Sequence, residues 1–161
     1  MAKAGVKKGR GANRFQRASS EEFSEALSGI IPSGGGDIPE NGFEAFYYVC
    51  QSDFVSGPKD RQFILLLTDA EVLRLGERSD CPFYPKDMIE EKQLKDLWEG
   101  NLPSPALDPR RSRAIFVTPR GSRYEEFANE LERAAFYEVR LGEGLSDLDE
   151  EVLAKAILHE I

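Results

Sequence analysis

Histidine is almost missing from this chain: its 161 residues hold one, His159, third from the end. A nucleophile needs a general base beside it, so Ser-His-Asp and Cys-His devices are excluded from any folded core. The two cysteines, Cys50 and Cys81, stand 31 residues apart without a Cys-x-x-Cys pair. With one terminal histidine they cannot supply the three or four ligands of a zinc site, and they read as buried thiols. Long apolar runs are lacking too: Phe63 to Leu67 is strand length, whereas a bilayer needs roughly 18 residues. Gly, Ala, Arg and Ser follow the first cations where a secretory signal would turn apolar. These absences predict a protein with no membrane association, cytoplasmic, or nuclear in a eukaryote. Neither a Walker loop nor a dinucleotide glycine fingerprint occurs, so no cofactor is expected and the chain reads as non-enzymatic in preference to an enzyme.

Acid is absent where it would matter most. Residues 1–19 contain Lys3, Lys7, Lys8, Arg10, Arg14 and Arg17 and no carboxylate, although the chain as a whole is net −8. The remaining 142 residues therefore hold 15 basic against 29 acidic side chains, a net of −14. An arm of that kind binds polyanions because each neutralised phosphate releases condensed counterions. The body alone would be repelled by one.

Glycine and proline divide the rest. Ser19 and Ser20 precede Phe23, Ala26 and Leu27 at helical spacing, and Gly29 ends that short helix. Pro32, Gly34, Gly35, Gly36, Pro39 and Gly42 then form a linker. The expected organisation is a basic disordered arm over 1–19, a short helix over 20–29, a Gly/Pro-rich linker over 30–42 and a single α/β domain over 43–161.

Within that domain, Phe43 to Cys50 is aromatic and β-branched and reads as a buried strand. Its residues 42–49 are superficially similar to the aromatic strand motif of RNA-recognition domains, but with an inserted residue and no leading cation. The aromatics are accordingly assigned to the core. Gln62 to Leu67 is a second strand, joined to the first through an exposed hairpin loop. Glu71 to Leu75 reads as a third strand in preference to a helix capped by Thr68 and Glu71. Lys86 to Glu99 follows as a helix with Ile89, Leu94, Leu97 and Trp98 on one side, stopped by Gly100. Leu102 to Pro109 is an extended connector.

Ala114 to Thr118 forms the next strand. Ser122 with Glu125 makes a capping box for the best amphipathic helix, carried by Tyr124, Phe127, Ala128, Leu131 and Ala135. Tyr137, Val139 and Leu141 then alternate with polar residues as a strand, and the three elements span about 29 residues, enough for a right-handed parallel crossover. Ser146 caps a last helix with Leu148, Val152, Ala156 and Ile157 inward. The fold class is thus α+β or α/β: a small mixed sheet of four to five strands, helices mainly on one face, a C-terminal βαβα unit and a flexible basic N-terminal arm. Phe46, Tyr48, Phe63, Trp98, Phe116 and Phe127 should supply much of the core.

One segment has the character of a ligand site. Thr118 to Arg123 should link a strand end to a capped helix start, where free amides and the positive dipole end converge. Arg120, Gly121, Ser122 and Arg123 are the candidate anion- or phosphate-binding residues, and Arg110, Arg111 and Arg113 share the same acid-free window. Structural pairing of these arginines with the chain's own carboxylates is the competing reading.

The function this predicts is an adaptor. Lys3, Lys7, Lys8, Arg10, Arg14 and Arg17 would hold nucleic acid or a nucleoprotein assembly, and the acidic body would dock a protein partner. The alternatives are an acidic inhibitor or immunity-type protein that blocks a basic cleft, and a small phosphate-ligand enzyme or sensor built on the 118–123 loop.

Overall fold

The structure is a computed structural model describing residues 39–52, 54, 61–103 and 107–143, with single positions at 21, 25, 28, 29 and 151. The basic arm, most of the 20–29 segment, the glycine cluster at 34–36 and the C-terminal helix expected from Ser146 lie outside the described residues. The chain divides into two compact units, Met1–Ser33 and Gly34–Ile161. In the first, Glu21, Glu25 and Ser28 are helical and the Gly29 amide donates to the Glu25 carbonyl at 3.1 Å.

The second unit is built on three strands in the order β1 (Gln62–Leu67), β2 (Ser112–Pro119) and β3 (Ala134–Val139), all parallel. Gln62 faces Ser112 across the first ladder, and Ala114 faces Ala134 across the second. Mixed α/β architecture is as expected. The sheet has three strands among the described residues, however, not four to five, and it is parallel where a mixed sheet was expected.

Two predicted strands account for the difference. Residues 42–50 are a helix, α1 (Gly42–Cys50), not a strand. The composition suits a strand, but Phe43, Phe46 and Cys50 recur at helical spacing, and all three are buried by that geometry. Burial decided the conformation over propensity. With a helix there, no hairpin joins residues 43–50 to β1, and no aromatic strand is presented for base stacking. The 71–75 strand reduces to one parallel bridge, Glu40 with Val72, made by Glu40 N–H donating to Glu71 O and Leu73 N–H donating to Glu40 O, both at 2.8 Å. The Thr68 hydroxyl accepts from the Ala70 amide at 3.1 Å, closing a turn instead of capping a helix.

The second helix is α2 (Glu91–Glu99), shorter than the expected 86–99 span. Residues 86–90 are turns and irregular backbone, and the Glu90 amide donates to the Gln93 side chain at 2.8 Å, which starts the helix one residue later. Gly100 ends it in the left-handed region at φ 83. The third helix, α3 (Arg123–Glu130), connects β2 to β3. Leu131 leaves it as an extended cap and Ala135 belongs to β3, so the helix is a turn shorter than its apolar spacing suggested.

Alternation along β2 separates two apolar layers. Ala114 and Phe116 join Ile64 and the three helices in the main core with Phe43, Phe46, Trp98, Tyr124 and Phe127. Ile115 and Val117 face the other way with Val139, Phe63 and Tyr137. Trp98 is fully buried, and its indole N–H donates to the Glu132 carbonyl at 2.7 Å. Phe63 and Tyr48 of the expected core aromatics are only half-buried.

Candidate functional site

Three parallel strands bring their C-terminal ends to one edge, the edge at which α/β sheets bind ligands. Thr68 to Glu71, Pro119 to Arg123 and Arg140 to Glu143 follow β1, β2 and β3 there. Gly121 takes φ 72, which turns β2 into α3, and the Ser122 hydroxyl accepts from the Glu125 amide at 3.4 Å. The junction expected at Thr118 to Arg123 is therefore present.

Its donors already carry carboxylates. Gly121 N–H donates to Glu125 Oε2 at 2.7 Å, and Arg123 N–H donates to Glu71 Oε1 at 3.1 Å. The Arg123 guanidinium donates to Glu91 Oε2 at 2.7 Å, and Arg120 pairs with Glu138 at 3.4 Å. Ser122 is buried at 1% exposure beneath its own cap. Four of the protein's acids, Glu71, Glu91, Glu125 and Glu138, thus accept from donors of this junction.

The arginines of the acid-free window do not cluster. Arg110, Arg111 and Arg113 lie at the start of β2, while Arg120 and Arg123 lie past its end, separated by the length of the strand, about 23 Å. Arg111 pairs with Asp108 at 3.3 Å, and Arg113 donates to the Ser112 carbonyl at 2.9 Å. Lys3, Lys7, Lys8, Arg10, Arg14 and Arg17 are outside the described residues.

Sequence reasoning did not foresee a second polar group on the helix side of the sheet. The Tyr84 hydroxyl donates to Glu44 Oε1 and accepts from the Gly76 amide, each at 2.8 Å. Glu44 is 5% exposed, and its Oε2 is buried without a hydrogen-bond partner among the described residues. Burial and then the hydrogen bond to Glu44 push the Tyr84 hydroxyl up to about 12. Tyr124 is also pushed up, by burial first and then by Glu40, Glu71 and Glu44. Three carboxylates on different segments thus share the surroundings of one phenol. Read as a strand, residues 43–50 would have put Glu44 on an open face; only the helical reading brings it inward beside Phe43.

Chemically, this edge is a carboxylate-rich network that orders backbone and retains negative charge. The Thr118 hydroxyl and Arg123 Nε are buried there without a hydrogen-bond partner among the described residues. No group of three or more His, Cys, Asp or Glu among the described residues is placed to hold a metal ion. Cys50 is a buried thiol and Cys81 an exposed one, so they are not bridged, and the expectation of two buried thiols holds only for Cys50. No described helix is long and apolar enough to cross a membrane. The chain matches no protein-family model and no curated protein.

Proposed function

We propose that this chain is a non-enzymatic adaptor whose basic N-terminal arm contacts nucleic acid or a nucleoprotein assembly and whose acidic body docks a protein partner. The observation that carries the reading is the division of charge, six cations without an acid in residues 1–19 against a net of −14 in the other 142 residues. What supports it in the fold is the pairing of Arg120 and Arg123 with Glu138 and Glu91. The body's candidate anion-binding cations stand against its own carboxylates, which weakens their pull on a polyanion and favours the arm. Arg120, with a side chain 74% exposed, is the residue of that loop best placed to add an auxiliary contact.

The test compares the full chain with a form lacking residues 1–19 against duplex and single-stranded nucleic acid across a salt series. Six phosphate contacts give a slope of log affinity against log salt of roughly −5. Deletion of the arm abolishes this binding, and unchanged binding after deletion overturns the reading. Tight capture of a basic protein that survives the deletion would instead identify an acidic inhibitor.

A further inference from the structure

The adaptor reading leaves open where the acidic body receives its partner, and the geometry points to one surface: we propose that the groove beside Phe83 docks a cationic protein segment through an apolar anchor. This rests on the reading that the body binds a protein. Phe83 is 92% exposed, an extreme value for a phenylalanine. It is not held out by a loose loop. Cys81 N–H donates to Arg78 O at 2.8 Å and Tyr84 N–H to Cys81 O at 2.9 Å, while Pro82 and Pro85 restrict the backbone on both sides. The next residue, Tyr84, is tied by its hydroxyl to buried Glu44 and to the Gly76 amide. The ring therefore stands on a preorganised platform, which lowers the ordering cost of binding.

Directly after Phe83, which is not itself part of the lining, the chain enters a groove of about 450 Å³ whose apolar wall is Leu75, Tyr84, Pro85, Met88 and Ile89. Its polar wall includes Ser79, Lys86, Glu90 and Glu91. Leu75 and Ile89 also pack on the main core, so the groove floor is continuous with it. An exposed aromatic one residue before a half-apolar groove offers the anchor and the recess that an interface hot spot combines. Charge selects the occupant. Residues 77–91 carry five carboxylates against two cations; Glu91 is already paired with Arg123 and Lys95, which leaves Glu77, Asp80, Asp87 and Glu90 around Arg78 and Lys86. The body of a second copy would bring the same sign of charge, and a nucleic acid more of it. A partner segment with Lys or Arg around an apolar side chain complements both the rim and the floor.

The test uses the full chain and two fluorescent synthetic peptides of equal positive charge, one with Lys and Leu at helical spacing and one with Lys, Gly and Ser. Phe83→Ser and Ser79→Arg alter exposed positions and leave the core in place, which circular dichroism and thermal unfolding verify. The Lys/Leu peptide is expected to bind the parent chain and to weaken about tenfold or more in both variants. The Lys/Gly/Ser peptide should bind weakly to all three, equally to the parent and Phe83→Ser and no tighter to Ser79→Arg, which carries one more positive charge. Equal affinity of the Lys/Leu peptide for all three proteins overturns the groove while leaving an acidic docking body intact. Failure of both peptides to bind at low salt overturns the docking body as well. A dimer in sedimentation that becomes monomeric in Phe83→Ser makes a second copy the occupant and overturns the proposal.

Discussion

Gly42, the first residue of α1, lies against the hydroxyl of Tyr124 in α3 so closely that a Cβ at position 42 would overlap the phenol oxygen. Two helices distant in sequence are thereby brought together at a residue without a side chain. Tyr124 in turn meets Phe43 edge-on at 5.3 Å between centroids. The contact locates the buried phenol beside the start of α1, in the electrostatic reach of Glu40, Glu44 and Glu71.

Gly42→Ala should destabilise the fold by about 1–3 kcal/mol, the usual cost of overpacking a core contact. Removing the hydroxyl in a Gly42→Ala, Tyr124→Phe double variant should recover only part of this, because a ring carbon would still stand 2.7 Å from the new Cβ. Denaturant unfolding of the two variants and of Tyr124→Phe alone measures the coupling.

Stability should decline in alkali. Burial pushes the Cys50 thiol from 9.0 to about 12, and Tyr84 rises from 10.0 to about 12. A raised folded-state value means that the unfolded chain releases its proton first. The associated stability is complete below pH 9 and is lost as pH rises towards about 12. For Cys50 the loss is on the order of 1.4 kcal/mol per pH unit across that window. Cys50→Ala should start less stable and lose less over the same range, and Tyr84→Phe should remove the upper part of the decline. Urea unfolding at stepped pH checks both; a parallel fall in parent and variants refutes the assignment.

Glu71→Ala should open the α3 terminus. The substitution takes the acceptor from the Arg123 and Val72 amides, at a cost of about 1 kcal/mol. Inorganic phosphate should then raise the melting temperature of the variant above that in chloride of equal ionic strength, and leave the parent chain unmoved. Phosphate stabilisation of the parent, lost in Arg120→Ala, would restore the 118–123 loop as a phosphate site and favour the ligand-binding alternative.

Much of the C-terminal half was legible before any coordinates. The β2–α3–β3 unit has a capping serine, a clean 3.6-residue spacing and alternation after it, three local signals that agree. Residues 42–50 had conflicting signals: β-type composition and a preceding glycine favoured a strand, whereas the positions of Phe43, Phe46 and Cys50 fitted a helix. Buried Glu44 had no signal at all, since its partner Tyr84 is 40 residues away and local pattern cannot show a contact at that range.

By itself, the amino-acid order determined the charge division, the near-absence of histidine, β1, β2 and the capped helix that follows, because each depends on composition or on neighbours within a few residues. Tertiary structure alone decided that α1 is a helix, that Glu71, Glu91, Glu125 and Glu138 occupy the donors of the 118–123 loop, and that Phe83 stands exposed beside a groove. Those outcomes follow from packing and from long-range pairing of opposite charges, which depend on where segments meet and not on the order in which they are joined.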